Sequence, residues 1–328
     1  MKLINDLKIF LRNRLLLLRN PSQTAIDTRA FSAIKHLSEN LSDIGKPFTI
    51  LDLGCAGGPT NAWTMNWASY RWVGIDASPN AIKKLKPTIP EKSDLLLGYV
   101  YSSKYCVHNL PDDLPKFEVS ELLESNSYDF VKIDIDGCDI HLLKGILDSP
   151  SSKSISGIEI EVTYSPLRNS EVNFHQCASL LIDQGFELVA IESARRYSCG
   201  SLGSPYVWGI EAQTAMGTVF QANQVWLRRN SSVDYPSTLV ASLILAAYGL
   251  SDWSWGNLQQ AHKAGILSDS EMGWINLKSL FLPTFLGRLT PEEYDRELSR
   301  NFSYNLRFKD WQIQSQVRET EQPWFLSN

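Results

Sequence analysis

The stretch FTILDLGCAGGPT, Phe48 to Thr60, decides the fold. Its first half is an apolar run that closes on Asp52, the pattern of a buried strand. Gly54, Gly57 and Gly58 then crowd a turn, and helical periodicity sets in over residues 59–69. A strand that enters a helix through a glycine turn is the first βα unit of an open α/β sheet, in which ligands sit beyond the carboxyl ends of the strands. Glycines there permit unusual backbone angles and keep side chains out of a ligand's path. The spacing Gly54-x-x-Gly57-Gly58 is not GxGxxG, so a dinucleotide pyrophosphate site is not its natural reading. Turn chemistry alone also accounts for these glycines.

Working outward, RWVGIDASP (71–79) is a second strand ending in an acid, Asp76, about 20 residues further on, where a carboxylate accepts both hydroxyls of a ribose. The competing explanation is a helix cap, since helical residues follow. A third run, YDFVKIDIDGCDIHLLKGI (128–146), carries apolar Phe130, Val131, Ile133 and Ile135, with Lys132, Asp134, Asp136 and Asp139 crowding its end. Packing does not call for such a charge cluster, and buried charges need partners. The placement puts Asp134 and Asp136 over the same crevice as Gly54 and Asp76.

Further strands are expected at 94–101, 157–163, 186–192 and 218–227, and helices at 79–86, 138–148 and 172–184. Alternation of this kind specifies βαβ units and a mostly parallel sheet. The last two strands have a Gly- and Ser-rich loop between them rather than a helix, so an antiparallel pair at one sheet edge is expected. The fold class is therefore α/β, in three segments: an N-terminal helical segment (1–46), the α/β domain (47–230) and a helical C-terminal region (231–328), the last with Trp253, Trp255, Trp274, Trp311 and Trp324.

Composition narrows the function classes. A net charge of -5 and a pI near 5.6 argue against a general nucleic-acid binder. Five cysteines (Cys55, Cys106, Cys138, Cys177, Cys199) without CxxC spacing are neither a disulfide framework nor a zinc site, and fit a reducing compartment. The longest apolar run, about Leu239 to Leu250, is too short to span a bilayer, which takes about 20 residues. No export signal is evident, and the chain is read as cytoplasmic. Residues 1–20 form a basic amphipathic helix, with Lys2, Lys8, Arg12, Arg14 and Arg19 against Asp6. It suits docking on its own domain or on a second subunit as a homodimer; an anionic membrane surface is the alternative.

Residues 48–229 resemble the FkbM-type family of class I S-adenosylmethionine methyltransferases. Asp129–Gly145 matches the family's "DFIKIDVEGAELEVLKG"-like signature, FEVSELL (117–123) the stretch before it, and VFQANQVWLRR (219–229) its final strand. Asp136 departs from the family's Glu and His141 from an acidic residue, and the first motif has Cys55 and a Gly-Gly-Pro. The resemblance implies a Rossmann-like seven-stranded sheet with helices on both faces, and S-adenosylmethionine lying across strands one, two and four. It implies that Asp52, Gly54, Cys55 and Gly57 surround the methionine moiety, that Asp76 with neighbouring Ala77 holds the ribose, and that Tyr99 and Ser102 flank the adenine. Asp134 would sit beside the transferable methyl.

A hydroxyl acceptor must lose a proton, so a base is expected within reach of it. The candidates are Asp134, Asp136, Glu161, His108 and His175. Magnesium held by Asp134 and Asp136 with Glu159 and Glu161, of which the more terminal Glu161 is well placed, is a second way to acidify a sugar diol, whereas ion pairing with Lys132 explains the same acids without metal. The 193–217 loop offers Arg195, Arg196, Tyr197, Tyr206 and Trp208 for an acceptor. O-methylation of a sugar hydroxyl in a glycan or secondary metabolite is the expected reaction. A peptide carboxylate or side chain is the alternative acceptor, and a degenerate fold acting as a binding module the alternative function.

Overall fold

The computed structural model describes residues 28–59, 63, 70–90, 92–105, 110–135, 137–164, 174–197, 218–229 and 234–272. The basic helix of residues 1–20, His108, Asp136 and most of the 193–217 loop lie outside these residues, as does the helix of 59–69 apart from Trp63.

The strands are β1 (Phe48–Leu53), β2 (Tyr70–Asp76), β3 (Asp94–Leu97), β4 (Tyr99–Tyr101), β5 (Lys116–Glu118), β6 (Phe130–Ile133), β7 (Gly157–Thr163), β8 (Phe186–Tyr197) and β9 (Thr218–Arg228). The helices are α1 (Thr28–Asp43), α2 (Pro79–Leu85), α3 (Val119–Ser125), α4 (Asp139–Asp148), α5 (Phe174–Asp183), α6 (Tyr235–Ala247) and α7 (Ser251–Lys263), with a short α8 (Asp269–Met272). Seven strands form one sheet in the order β3-β2-β1-β6-β7-β9-β8. All its pairings are parallel except those of β9, which runs antiparallel between β7 and β8. This is the mixed α/β sheet that the strand–helix alternation predicts, with the antiparallel pair at one edge.

The expected strand at 94–101 is instead two strands. Gly98 ends β3 against Asp76, donating its N–H to the Asp76 carbonyl at 3.0 Å. A Cβ at Gly98 would meet the Phe117 ring and the Pro115 carbonyl, each at 2.5 Å. The chain bends there, and Tyr99 N–H turns to the Pro115 carbonyl at 2.8 Å. β4 therefore pairs with β5 in a separate two-stranded sheet.

Alternation along each strand divides the core in two. One face presents Phe48, Ile50, Tyr70, Trp72, Phe130 and Val225. It is covered by α1 through Ile34, Leu37 and Leu41, by α6 through Leu239, Leu243 and Ile244, by Leu258 of α7 and by Trp63. The other face presents Leu51, Leu53, Val73, Ile75, Val131, Ile133, Ile158 and Ile160 to α3, α4 and α5. The apolar run near Leu239–Leu250 thus becomes α6, buried from Thr238 to Ala247 between the sheet and its neighbouring helices. Among the described residues no helix is long and apolar enough to cross a membrane.

Candidate functional site

The order of the sheet leaves β1 flanked by β2 on one side and β6 on the other, so chain connections depart in opposite senses on either side of β1. A crevice opens at the carboxyl ends of strands at such a switch point. The turn after β1 forms its floor. Gly54 and Cys55 both donate their N–H groups to the Ile75 carbonyl, at 2.9 and 3.3 Å, tying the turn to β2. Asp134 N–H donates to the Leu53 carbonyl at 2.9 Å, tying it to β6. Gly54 has φ +83°, and a Cβ there would lie 1.7 Å from the Asp134 carbonyl oxygen. Glycine is required because two strand ends close on it. Gly57 is different: it is exposed, and a Cβ there meets no described atom within 4 Å.

At the end of β2, Asp76 is half-buried, and its Oδ1 accepts the Ser78 N–H at 2.7 Å. The cap of α2 is Ser78, whose hydroxyl accepts from Ala81 N–H at 3.3 Å. Asp76 therefore stands one step outside the helix, with its second oxygen unengaged among the described residues. Ala77, beside it, is half-buried.

Beneath the crevice runs a row of polar groups on the sheet face that α1, α6 and α7 cover. Register places Asp52 beside Lys132 and Lys132 beside Glu159 on neighbouring strands. Lys132 Nζ lies 3.4 Å from Asp52 Oδ1 and 3.1 Å from Asp134 Oδ2. The indole of Trp72 folds over Gly74, where any Cβ would strike its ring at 2.1 Å, and its Nε1–H reaches Asp52 Oδ2 at 3.3 Å. Glu159 accepts from Asn223 Nδ2 at 2.7 Å and from the Tyr248 hydroxyl at 2.5 Å, and that hydroxyl accepts from Trp63 Nε1 at 3.2 Å. Burial pushes the Asp52 carboxyl up to about 6 against the pull of Lys132. Burial opposes the Lys132 charge, but Asp52, Asp134 and Glu159 outweigh it and hold the ammonium above its ordinary range. Tyr248 is held well above the usual phenol range by burial and by Glu159.

Asp134 is the open end of this row, its side chain 32% exposed against 2% for Asp52. The turn that follows it is organised by buried Asp139, which accepts from Ile135 N–H at 2.8 Å and Gly137 N–H at 3.1 Å. One strand further on, Glu161 takes a hydrogen bond from the Gln221 amide. Glu161 is two residues beyond Glu159 as Asp134 is two beyond Lys132, so the two carboxylates stand at one level of adjacent strands.

The structure thus brings Gly54, Asp76, Asp134 and, beside them, Glu161 to one rim, with Asp52 buried beneath it. Ser102 is not among them: it is 2% exposed and packs against Gly145 of α4, on the opposite face. The Cys55 side chain also points away, into the core, where burial and then Asp52 and Asp76 push its thiol up. Tyr99 lies in β4, its hydroxyl 3.4 Å from Asp113. His175 lies at the start of α5, its ring tilted against that of Phe174. Trp72 and Tyr248 enter the picture only with the structure, Tyr248 from the end of a helix whose sequence points nowhere, whereas Asp139 and Glu159 carried a signal in the sequence, an acid inside an apolar pattern. Among the described residues no group of three or more His, Cys, Asp or Glu is arranged to hold a metal ion. Asp134 pairs with Lys132, and Asp136 lies outside the described residues.

No family model matches the chain, and no curated protein matches it. Among solved structures, similarity extends to the 1,6-didemethyltoxoflavin N1-methyltransferase of Burkholderia thailandensis, bound to its substrate and S-adenosylhomocysteine (15% identity, 60% of this chain and 78% of that one, TM-score 0.31). The magnesium protoporphyrin IX methyltransferase of Synechocystis, with S-adenosylmethionine bound, is similar at 13% identity over 61% of this chain and 80% of that one, TM-score 0.31. A precorrin-6y C5,15-methyltransferase from Geobacter metallireducens gives 13% identity over 58% and 87%, with the same TM-score of 0.31. These neighbours are S-adenosylmethionine-dependent methyltransferases that act on different substrates.

Proposed function

We propose that the chain is an S-adenosylmethionine-dependent methyltransferase of the FkbM type that O-methylates a sugar hydroxyl in a glycan or secondary metabolite. The observation that carries the proposal is the convergence of Gly54, Asp76 and Asp134 at the carboxyl ends of β1, β2 and β6. These are the first, second and fourth strands of the main sheet in chain order, those across which the resembled family lays its cofactor. The signature Asp129–Gly145 supports the family, and five cysteines without CxxC spacing suit a reducing cytoplasm.

S-adenosylmethionine, when bound, supplies an electrophilic methyl group on its sulfonium. Asp76 would accept the ribose hydroxyls through its unengaged oxygen. The exposed face of Gly57 leaves room for the methionine end. Asp134, held by Lys132 at the open end of the row, would face the acceptor hydroxyl. A hydroxyl that took the methyl group would release its proton to the carboxylate of Asp134 or Glu161. Positioning of this kind accounts for about 7–11 kcal/mol of a barrier in favourable cases.

Calorimetric titration of the full chain with S-adenosylhomocysteine and, separately, NAD tests the reading. One-site binding of the first and none of the second is expected, with Asp76→Ala weakening it at least tenfold. Asp134→Ala is expected to impair transfer more than binding. A folded protein that binds no S-adenosylhomocysteine or S-adenosylmethionine ends the proposal.

A further inference from the structure

We infer that the crevice ranks the two forms of its cofactor by charge, holding sulfonium S-adenosylmethionine more tightly than the neutral thioether product. This rests on the methyltransferase reading above. The row beneath the crevice contains three carboxylates, Asp52, Asp134 and Glu159, around one ammonium, Lys132, which leaves a surplus of two negative charges among the described residues. Among the described residues, the other groups bonded to the acids of the row are neutral. Glu159 is bonded to an amide, Asn223, and a phenol, Tyr248. From β2 the partner of Asp52 is the Trp72 indole. Residues 59–69, which include Trp63, carry no charged side chain. Of the remaining acids, Asp76 ends β2 and Glu192 faces the row from β8, opposite Asn223.

Asp52 and Glu159 are each 1% exposed, so water does not quench their charge. Charges interact several-fold more strongly in such an environment than in bulk water. Burial is the main cause of the raised Asp52 carboxyl, and Glu159 adds to it against the pull of Lys132. The row opens at Asp134, and a cation bound there completes its charge balance. Transfer of the methyl group turns the sulfonium into a neutral thioether and withdraws that cation. The product is then held less tightly than the donor it came from.

The test is calorimetry on the full chain with three ligands: S-adenosylmethionine, S-adenosylhomocysteine, and an analogue in which a carbon bearing a primary amine replaces the sulfonium. S-adenosylmethionine and the amine analogue are expected to bind at least tenfold more tightly than S-adenosylhomocysteine. Asp134→Asn and Glu159→Gln, each removing one negative charge with little change of shape, are expected to shrink that preference to about threefold or less. Asp94→Asn, at the exposed start of β3, is expected to leave it unchanged. S-adenosylhomocysteine binding as tightly as S-adenosylmethionine overturns the inference and leaves the methyltransferase reading standing. A preference that survives both row variants overturns it too, because the discrimination then comes from elsewhere. Absence of binding by all three ligands overturns the reading and the inference together.

Discussion

Gly54 and Gly57 stand three residues apart in one turn and do different work. At Gly54 the backbone has φ +83° and the Asp134 carbonyl occupies the place of a side chain. Ala at this position must either move the end of β6 or break the turn. Gly54→Ala is expected to cost about 3 kcal/mol or more, the range of backbone strain added to a buried clash. Gly57→Ala is expected to leave the melting temperature within about a degree, with its effect confined to ligand affinity. Thermal melts beside S-adenosylhomocysteine titrations separate the two, and a Gly54→Ala protein as stable as wild type would show that the strand ends do not close on this residue. Asp52 supports a second expectation. Folded, its carboxyl titrates at about 6; its ordinary value is 3.8. Between those values the folded state holds the extra proton, so the contribution of Asp52 to stability is greatest at low pH and falls as pH rises through the window. At 1.36 kcal/mol per unit the full difference is roughly 3 kcal/mol. Asp129, Asp139 and Glu192 are displaced in the same direction, chiefly by burial, and are common to both proteins. Denaturation of wild type and Asp52→Asn from pH 4 to 7 should therefore show wild type losing ground steadily, and parallel curves would contradict the assignment. At this scale Asp52, Gly54, Asp76 and Asp134 were legible in the sequence, because each sits at a position defined by its own strand. Trp72 was not, since what makes it polar machinery is the side-chain-free Gly74 under its ring and an acid on the neighbouring strand.

Among the elements, the segment from β6 into α4 shows how a sequence signature becomes geometry. Asp139 opens α4 and turns its carboxylate back onto the two amides of the preceding turn. That fixes the path of the chain immediately after Asp134, the residue on which the proposed chemistry depends. Asp139→Ala leaves those amides without their acceptor, at about 1–3 kcal/mol. The expected outcome is faster hydrogen exchange at Ile135 and Gly137, a melting temperature lower by several degrees, and weaker binding of S-adenosylhomocysteine. Unchanged exchange at both amides would mean that the turn holds itself. The end of the sheet is fixed by a different device. Arg228 of β9 donates to the carbonyls of Ile155, Gln184 and Ser152, all at 2.9 Å, and lies over the Phe186 ring. The closing arginine of the family-like strand is thus a clamp between the loops before β7 and β8. Strand–helix alternation made most elements legible, because period and length are local properties. The break between β3 and β4 was not, since its cause is the approach of Pro115 and Phe117 from a later part of the chain.

At the scale of the whole molecule, the helices that flank the α/β alternation in sequence are inseparable from it in space. α1 precedes the first strand and α6 and α7 follow the last, yet together they form the layer over Phe48, Ile50, Tyr70, Trp72 and Phe130. The fit is close: a Cβ at Gly157 of β7 would come within 3.0 Å of Ile244 of α6. Tyr248, at the end of α6, supplies the hydroxyl that Glu159 needs in the polar row. Sequence composition changes sharply near residue 230, which is why the boundary drawn there looks natural. Composition reports which residues are apolar, not which surface they meet. A fragment of residues 47–230 would keep Trp63 but strip the helical cover from five large side chains on one sheet face. Each is worth about 1.5–3 kcal/mol when buried, so the loss is on the order of 10 kcal/mol. That is comparable with the entire stability of a typical protein, about 5–15 kcal/mol. The fragment is therefore expected to be insoluble, or to bind a hydrophobic dye and melt without a cooperative transition, while the full chain melts cooperatively and is stabilised by S-adenosylhomocysteine. A soluble fragment that melts sharply and binds that ligand would show that the helices are an appendage and that the sheet needs no second layer from them.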